Sequence, residues 1–387
     1  MLYLLLRSLT DWLDEHGLYR IFGLLDEIEF RALLAAGLSF ALVLAAGPAT
    51  IRWLRRMKIG DAGVSDSAAL SQHAAGKANT PTMGGILIVG AMVFSILLLA
   101  DLSRFYVLAG LLVLVAYACL GAADDWLKLT AKRRGTGSRQ GLYAWEKFVF
   151  QIGLAAVVAY FAAQQNGDLV RVLNLPFQRT YVPNPGMEAV VQPGLIILPT
   201  AAFVIIGALF IAGLSNAANI TDGMDGLAGG VSAVVAAGLF VLAWVAGSDM
   251  AVRLLVPRIE GAGELAVMAG AMGGACLGFL WWNCSPASVF MGDTGSLALG
   301  ALIGYIALII RQEAVVALFC LVFILEILSV MIQVAYFRAT GGKRVFKCAP
   351  YHHHLHLSHW TEQQIVARFW IISIVCLILG LASVKIR

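Results

Sequence analysis

The chain has 387 residues, of which 60% are hydrophobic and only 13% are charged, and its formal net charge is +4. Soluble globular domains carry about a quarter charged residues, so this composition cannot cover a water-facing surface of such a size. It excludes an ordinary soluble protein, it favours a chain that crosses a bilayer, and we expect no nucleic-acid partner.

The predicted elements begin with an N-terminal segment, residues 1–28, that we expect to lie at the membrane interface. Asp11, Asp14 and Glu15 interrupt the apolar run that a cleavable signal would need. Residues 29–387 are predicted to form one polytopic domain of the all-α membrane class, with about ten spans near the length that crosses a bilayer. The spans are placed near 29–54, 82–101, 105–123, 143–163, 195–214, 227–246, 264–281, 296–311, 314–337 and 366–386.

Basic residues are unevenly shared between the two sides of this arrangement. The loops after the first, third and ninth spans, counted with their flanking turns, hold 16 of the 27 Lys and Arg residues. The positive-inside rule therefore places these loops in the cytoplasm and both termini outside, in the periplasm or the extracellular space.

Polar residues with a possible chemical role first appear around the second and third spans. Lys77, shortly before Thr80-Pro81, is either one more interfacial charge or a phosphate ligand. Asp124 and Asp125 end the third span. They are either a helix end dipping into water or a site for a cation or for proton transfer, because paired carboxylates bind Mg²⁺ and raise one another's pKa.

A second group follows the fifth span, where Asn216, Asn219, Asp222 and Asp225 recur every three residues. At that spacing they share one face of a helix or of a tight 3₁₀ turn, and Gly223 lets a ligand approach the backbone. The alternative is that Asn, Asp and Gly are only turn residues. An acidic face without a basic partner favours a cation or sugar hydroxyls.

The third and fourth groups surround the eighth span and the last loop. Asp293 is either a helix cap or a metal ligand, and Phe290 is either a core residue or a face for a stacked base. His352, His353 and His354 are predicted in a loop, because three contiguous histidines fit no helix or strand face. The loop is adventitious, binds a transition metal, or binds phosphate oxygens.

The six cysteines show no CxxC pair, so we expect neither a disulfide nor a zinc site.

All these clusters lie on the side that the charge distribution assigns to the cytoplasm. Acids, lysines, histidines and an aromatic residue together predict a Mg²⁺-bridged diphosphate bound in a cleft at the membrane surface.

In order and spacing, these residues resemble the phospho-N-acetylmuramoyl-pentapeptide transferase family, within the polyprenyl-phosphate N-acetylhexosamine-1-phosphate transferase superfamily. The likeness runs from about residue 30 to the C-terminus. Its motifs are Lys77-x-x-Thr80-Pro81-Thr82-Met83-Gly84-Gly85, Asp124-Asp125, Asn219-x-Thr221-Asp222-Gly223-x-Asp225-Gly226, Phe290-Met291-Gly292-Asp293-x-Gly295-Ser296 and Pro350-x-His352-His353-His354.

The resemblance implies a multi-pass enzyme of the bacterial inner (cytoplasmic) membrane, with ten helices and a cytoplasmic-side active site. Its donor would be UDP-N-acetylmuramoyl-pentapeptide, its acceptor undecaprenyl phosphate, its products lipid I and UMP, and its cofactor Mg²⁺. Membrane lipid and a second copy of the chain, as a homodimer, are the other expected partners.

The resemblance also implies roles by position. Asp293 would be the Mg²⁺ ligand and Asp124 the base or nucleophile, with Asp125 and His353 as further catalytic residues. The uridine and ribose would be bound by Asn219, Asp222, Gly223, Asp225 and Phe290. The phosphates would be held by Lys77, Lys128, Lys132, Asn283 and the three histidines, among them His352 and His354.

Departures from the family pattern are few: His356 stands where the family usually has Glu, Asn79 replaces a common Gly and Thr294 a common Val. The nearest alternative is a UDP-N-acetylhexosamine-1-phosphate transferase that uses another polyprenyl phosphate. A more remote alternative is a transporter, suggested by Glu326 within the ninth span.

Overall fold

The computed structural model describes residues 1–57, 80–130, 141–165, 167–182 and 190–385. Ten long helices dominate it, and the described part of the chain contains no β-strand, only two isolated bridges. The long helices are α1 Ile28–Arg56, α2 Gly85–Leu99, α3 Phe105–Thr130, α4 Ala144–Ala163, α5 Thr200–Thr221, α6 Leu227–Gly247, α7 Leu265–Asn283, α8 Gly292–Ile309, α9 Leu321–Ala339 and α10 Glu362–Lys385.

In the described ranges, nine helices are long and apolar enough to cross a membrane, so the predicted all-α membrane class is confirmed. The exception among the long helices is α2, whose 15 residues replace the predicted span 82–101. It nevertheless runs from one end of the bundle to the other. The Gly85 N–H at its start bonds to the Met291 carbonyl, and the Leu99 carbonyl at its end accepts from Arg31, which lies near the start of α1.

The centre of the bundle is α8, in which every residue from Thr294 to Ile309 is buried. It packs between α3 and α5, while α7 packs against α1. Small residues permit this, because Gly300 of α8 lies against the backbone of α5 at Leu214. The outer helices differ, and most of α9 is exposed on the outside of the bundle.

Several predicted boundaries were wrong, and two of them concern polar residues that the site uses. Helix α3 runs on to Thr130 instead of ending at 123, and α5 runs on to Thr221 instead of ending at 214. Both continue because their polar side chains find partners on neighbouring helices. The histidine triplet, predicted in a loop, lies in the short helix Tyr351–His356, where each ring points to a different environment.

The N-terminal segment comprises three short helices, Leu2–Ser8, Thr10–Glu15 and Tyr19–Phe22, followed by a 3₁₀ turn. Its interfacial position stays a prediction. The segment is attached to the bundle through Tyr3, whose ring lies 3.9 Å from the Arg31 guanidinium.

A buried ion pair joins α1 to the chain before α7, at the end of the bundle where α2 finishes. Arg31 donates to Glu264 through two nitrogens, at 2.7 and 2.6 Å, and also to the Leu99 carbonyl at 3.1 Å. The Arg31 side chain is 1% exposed. Removing one partner of such a pair leaves the other charge buried without compensation, which costs about 3–5 kcal/mol.

We therefore expect Arg31→Leu to lower the thermal unfolding midpoint of the detergent-solubilised protein by several degrees. The matched control is Arg104→Leu, because Arg104 pairs with Asp101 at the same end but is itself 46% exposed, and Asp101 keeps its bonds to Ser103 and its pairing with Arg7. Equal midpoints for the two variants would contradict the account of this pair.

Candidate active site

Helix ends meet at the end of the bundle opposite Arg31. The C-terminal turns of α3 and α5 and the N-terminal turns of α4 and α8 bring together Asp124, Lys147, Asn219 and Asp293. Since a helix N-terminus carries partial positive charge, anionic groups are favoured where α4 and α8 begin.

Two carboxylates share two ammonium groups at the centre of this site. Lys128 Nζ lies 2.6 Å from Asp124 Oδ2 and 3.0 Å from Asp293 Oδ2. Lys147 Nζ lies 3.0 and 2.7 Å from the same two oxygens. Asp124 is fully buried, and its other oxygen accepts the Leu142 backbone N–H at 2.7 Å. Both oxygens of Asp124 are therefore bonded within the protein.

Lys147 is the residue that the sequence analysis missed. It was counted among the basic residues of a loop, but it lies in the first turn of α4 and is 15% exposed. The available signal was its spacing: Lys147 lies one turn inside a predicted apolar helix, on the side of the membrane where the other polar clusters gather.

Asp125 faces away from these lysines and caps α8 from a neighbouring helix. Its Oδ1 accepts the Asp293 backbone N–H at 3.2 Å, and its Oδ2 accepts from the Thr294 N–H at 3.0 Å and hydroxyl at 2.8 Å. Asp125 thus fixes the backbone that carries Asp293. Its predicted catalytic role is not tested by these contacts and stays a prediction.

Asn219 holds the Asp293 side chain from the other side. Its Nδ2 donates to Asp293 Oδ1 at 2.7 Å and to the Ser296 hydroxyl at 2.9 Å. Asn216, one turn earlier on α5, instead donates to Gln151 of α4. The predicted common face of Asn216, Asn219, Asp222 and Asp225 is therefore wrong, because α5 ends at Thr221 and the two acids lie in the turn that follows.

Close approach of α3 to α8 depends on Gly121. A methyl group at this position would overlap the carbonyl of Asp293, which is backbone and cannot move aside alone. We expect Gly121→Ala to separate the two helices and to lower turnover by about 100-fold, because a displacement near 1 Å has that effect on positioned reacting groups. Gly90→Ala on α2 is the control, since its added methyl meets nothing within 4 Å. Equal turnover of both variants would show that this helix contact does not position Asp293.

The turn 222–226, here called the acidic turn, is held by three other elements. The Asp225 N–H donates to Glu362 at 2.9 Å, and the Asp225 carboxylate accepts the Ala287 N–H at 3.1 Å. Asn283 is buried and bonds the Gly226 N–H and the Val289 carbonyl. Asp225 and Asn283 thus act first as supports of this turn, and their predicted contacts with substrate stay predictions.

Asp222 points from the acidic turn towards α8. Burial, and after it the negative charge of Asp293, raise the pKa of Asp222 well above its usual range. The carboxylates of this site therefore repel one another, and positive charge placed between them would relieve that repulsion.

The three histidines diverge. The His352 ring is fully buried and lies 3.0 Å from Glu326, whereas His354 accepts the Lys347 N–H at 3.2 Å and stacks on Tyr351. Burial, followed by the neighbouring His352 and His356, lowers the pKa of His353 to about 3. At neutral pH His353 is therefore uncharged and acts through hydrogen bonds.

Phe290 is half-buried and belongs to a backbone connection between the start of α2 and the start of α8. Its N–H donates to the Pro81 carbonyl, and its carbonyl accepts the Gly84 N–H, both at 2.8 Å. The Thr80–Gly85 motif thus lies directly beside the segment that leads into Asp293. The predicted phosphate ligands Lys77 and Lys132 lie outside the described residues.

The donor set suits Mg²⁺, although it is not a closed cage. In the described ranges, no three His, Cys, Asp or Glu side chains form a ready-made metal cluster. Mg²⁺ is commonly bound by one or two carboxylates together with substrate phosphates and water. Oxygens of Asp124 and Asp293 already converge on the ammonium groups of two lysines, so the residues fit a cation at this position.

Comparisons with known proteins match the parts of the chain that carry this site. The model of glycosyl transferase family 4 matches residues 105–311, more than half of the chain, and that range includes the Asp124, Lys128, Lys147 and Asp293 cluster. The phospho-N-acetylmuramoyl-pentapeptide-transferase signature 1 matches residues 77–89, which include Lys77 and the segment bonded to Phe290. The resemblance inferred from the sequence is confirmed, and the chain belongs to glycosyl transferase family 4 as a phospho-N-acetylmuramoyl-pentapeptide transferase.

Proposed function

We propose that this site transfers phospho-N-acetylmuramoyl-pentapeptide from its UDP donor to undecaprenyl phosphate, giving lipid I and UMP, with Mg²⁺ as cofactor. The observation that carries the proposal is the cluster in which Asp124 and Asp293 share Lys128 and Lys147 at one end of the bundle. Such an arrangement offers two ammonium groups to the oxygens of a diphosphate and two carboxylates to a cation.

Asp293 is the residue we propose for the metal; Asn219 holds its side chain, and Asp125 accepts its backbone N–H. Mg²⁺ bound there would neutralise charge on the diphosphate and on the departing UMP. Lys128 and Lys147 would then exchange their carboxylate partners for phosphate oxygens, which bind ammonium groups as point charges.

Asp124 is proposed as an orienting group or base, and the lipid phosphate attacks the β-phosphorus directly. One oxygen of Asp124 accepts the Leu142 N–H and the other faces Lys128 and Lys147, so the carboxylate is held in place beside the groups that would bind the phosphates. The acceptor also needs little activation, since the second pKa of a phosphate monoester is about 6. Most of the rate enhancement then comes from positioning and charge neutralisation.

The uridine half of the donor is proposed to lie between Phe290 and the acidic turn. Phe290 offers a half-buried aromatic face, and Asp222 and Gly223 are the members of the turn that remain partly or fully exposed. A stacked base contributes about 1–3 kcal/mol, which would anchor the donor while its diphosphate reacts.

The proposed substrates can be tested against the nearest alternative with purified protein, Mg²⁺ and undecaprenyl phosphate. Product should form with UDP-N-acetylmuramoyl-pentapeptide and should be at least about 100-fold slower with UDP-N-acetylglucosamine. The reverse preference would assign the chain to the other branch of the superfamily.

The transporter alternative places polar groups near the middle of the membrane, whereas the acids and lysines here meet at one end of the bundle.

We also propose that the site faces the cytoplasm of a bacterial cell, in the inner membrane, with membrane lipid around it and with a second copy forming a homodimer. The end that carries the site also carries Arg55, Arg56, Arg338, Lys343 and Arg344, which supports this orientation.

The orientation predicts opposite labelling at two exposed positions. In a variant without the native cysteines, a cysteine replacing Lys343 should resist an impermeant thiol reagent in intact cells. A cysteine replacing Gln192, at the other end, should react with it. Labelling in the reverse order would place the donor site outside the cytoplasm and contradict the proposal.

A further inference from the structure

A buried carboxylate in α9 is not used by the chemistry described so far. Glu326 is 0% exposed and lies in the apolar run Phe323-Ile324-Leu325-Glu326-Ile327-Leu328. A carboxylate at such a position is costly unless it is hydrogen-bonded, so its partners indicate why it is tolerated.

Those partners belong to one residue, His352. The His352 backbone N–H lies 3.1 Å from Glu326 Oε1, and the His352 Nδ1 lies 3.0 Å from Oε2. A backbone N–H can only donate, so Glu326 Oε1 accepts at the first contact. An ionised carboxylate can only accept, so at the second contact it would orient the ring and place its proton on Nδ1, in the way that a carboxylate fixes the tautomer of a functional histidine.

The other ring nitrogen is then an acceptor. His352 Nε2 is buried and has no hydrogen-bond partner within the part of the chain that the structure describes. It lies against Gly223 of the acidic turn, so closely that a methyl group on Gly223 would overlap it. Gly223 itself is exposed. The unpaired Nε2 therefore lies directly beneath the part of the turn that faces the proposed donor site. Buried polar atoms are normally hydrogen-bonded, so the missing partner of Nε2 needs an explanation.

We propose that Glu326 is a positioning residue that keeps the His352 proton on Nδ1, so that Nε2 accepts a hydrogen bond from an O–H or N–H of the donor's nucleoside. This inference rests on the proposed function, because that proposal places the nucleoside beside the acidic turn. A glycine at 223 leaves only backbone over Nε2, so this hydrogen bond requires that the backbone at Gly223 move aside when the nucleoside binds.

The direct test is Glu326→Gln, which keeps the side-chain shape. The Gln carbonyl can still accept the His352 N–H, while its amide group donates to Nδ1 and moves the ring proton to Nε2. In ¹⁵N-histidine NMR spectra, the protonated nitrogen of His352 should change from Nδ1 to Nε2. The KM for the donor should rise about 10- to 100-fold, with a change in kcat below about threefold, because one buried hydrogen bond is lost.

The matched control is Glu29→Gln at the opposite end of the bundle, where the carboxylate accepts from Trp244 Nε1. It should alter neither the His352 tautomer nor the donor KM. A wild-type His352 already protonated on Nε2, or a tautomer change with an unchanged KM, would reduce Glu326 to a structural anchor and overturn the proposal.

A second measurement needs no variant and separates this inference from the proposed function. UMP binding is followed by calorimetry while the His352 Nε2 resonance, assigned by comparison with His352→Gln, is observed in wild-type protein. The inference predicts a shift of this resonance on UMP binding, with no shift at His16. Binding without the shift overturns the role of His352 alone, whereas absence of UMP binding contradicts the nucleotide site and the proposal built on it.

Discussion

Asp293→Asn is expected to lower turnover by at least about 10³-fold without unfolding the protein. The neutral amide keeps the size of the side chain and can still accept from Asn219, so the fold should survive. It removes the negative charge that holds Lys128, Lys147 and, in our proposal, Mg²⁺. Removing a preorganised charge from a reacting centre has effects of this order. Initial rates of UMP release, measured over a range of Mg²⁺ concentrations, give the comparison.

Asp101→Asn is the matched control, because Asp101 is also buried but lies at the opposite end of the bundle. It should retain turnover within about threefold once folding is equal. If Asp293→Asn kept the wild-type rate and the wild-type dependence on Mg²⁺, Asp293 would be no more than a residue that begins α8.

Lys147→Met should lower kcat about 100-fold or more, although Lys147 lies outside the motifs that carry the resemblance. Met fills the same space, so the loss reports the charge and not a cavity. Lys147 joins Asp124 to Asp293, and Lys128 remains in the variant to make the same two contacts. We therefore expect a smaller loss than for Asp293→Asn. Single-turnover rates with saturating donor isolate this effect from binding.

Lys343→Met provides the control for Lys147, since Lys343 is exposed and lies at the same end of the bundle. It should leave the single-turnover rate unchanged. Equal rates for Lys147→Met and Lys343→Met would mean that the lysine pair only satisfies Asp124 and Asp293 in the absence of substrate.

The helical membrane fold could be predicted from the sequence because a membrane span is a continuous run of apolar residues, which is visible without knowledge of distant contacts. Nine of the ten spans appear at or near the predicted positions. The ends of α3 and α5 were misplaced, because Asp124 and Asn219 read as loop residues until their partners across the bundle are known. The α2 helix was predicted too long for a related reason: the residues before Gly85 are apolar enough for a span, but their backbone pairs with Phe290.

The sequence identified most residues of the candidate site but not which of them contact one another. Spacing and resemblance found Asp124, Asp293 and Asn219, which do meet in the structure. They could not show that Asp125 caps α8 or that Glu326 holds His352, because these pairs lie 168 and 26 residues apart in sequence. Lys147 was missed because its position one turn inside α4 was read as that of an interfacial charge, and its partners Asp124 and Asp293 lie on other helices.

The central claim is that positioned charges let the lipid phosphate attack the donor directly, with Asp124 as an orienting group. The stereochemical course at the β-phosphorus of a chirally labelled donor tests this claim most directly. A single displacement inverts the configuration, and inversion is the result that the account predicts. Net retention, which requires two displacements through an enzyme-bound phospho-sugar, would contradict it and make Asp124 the nucleophile.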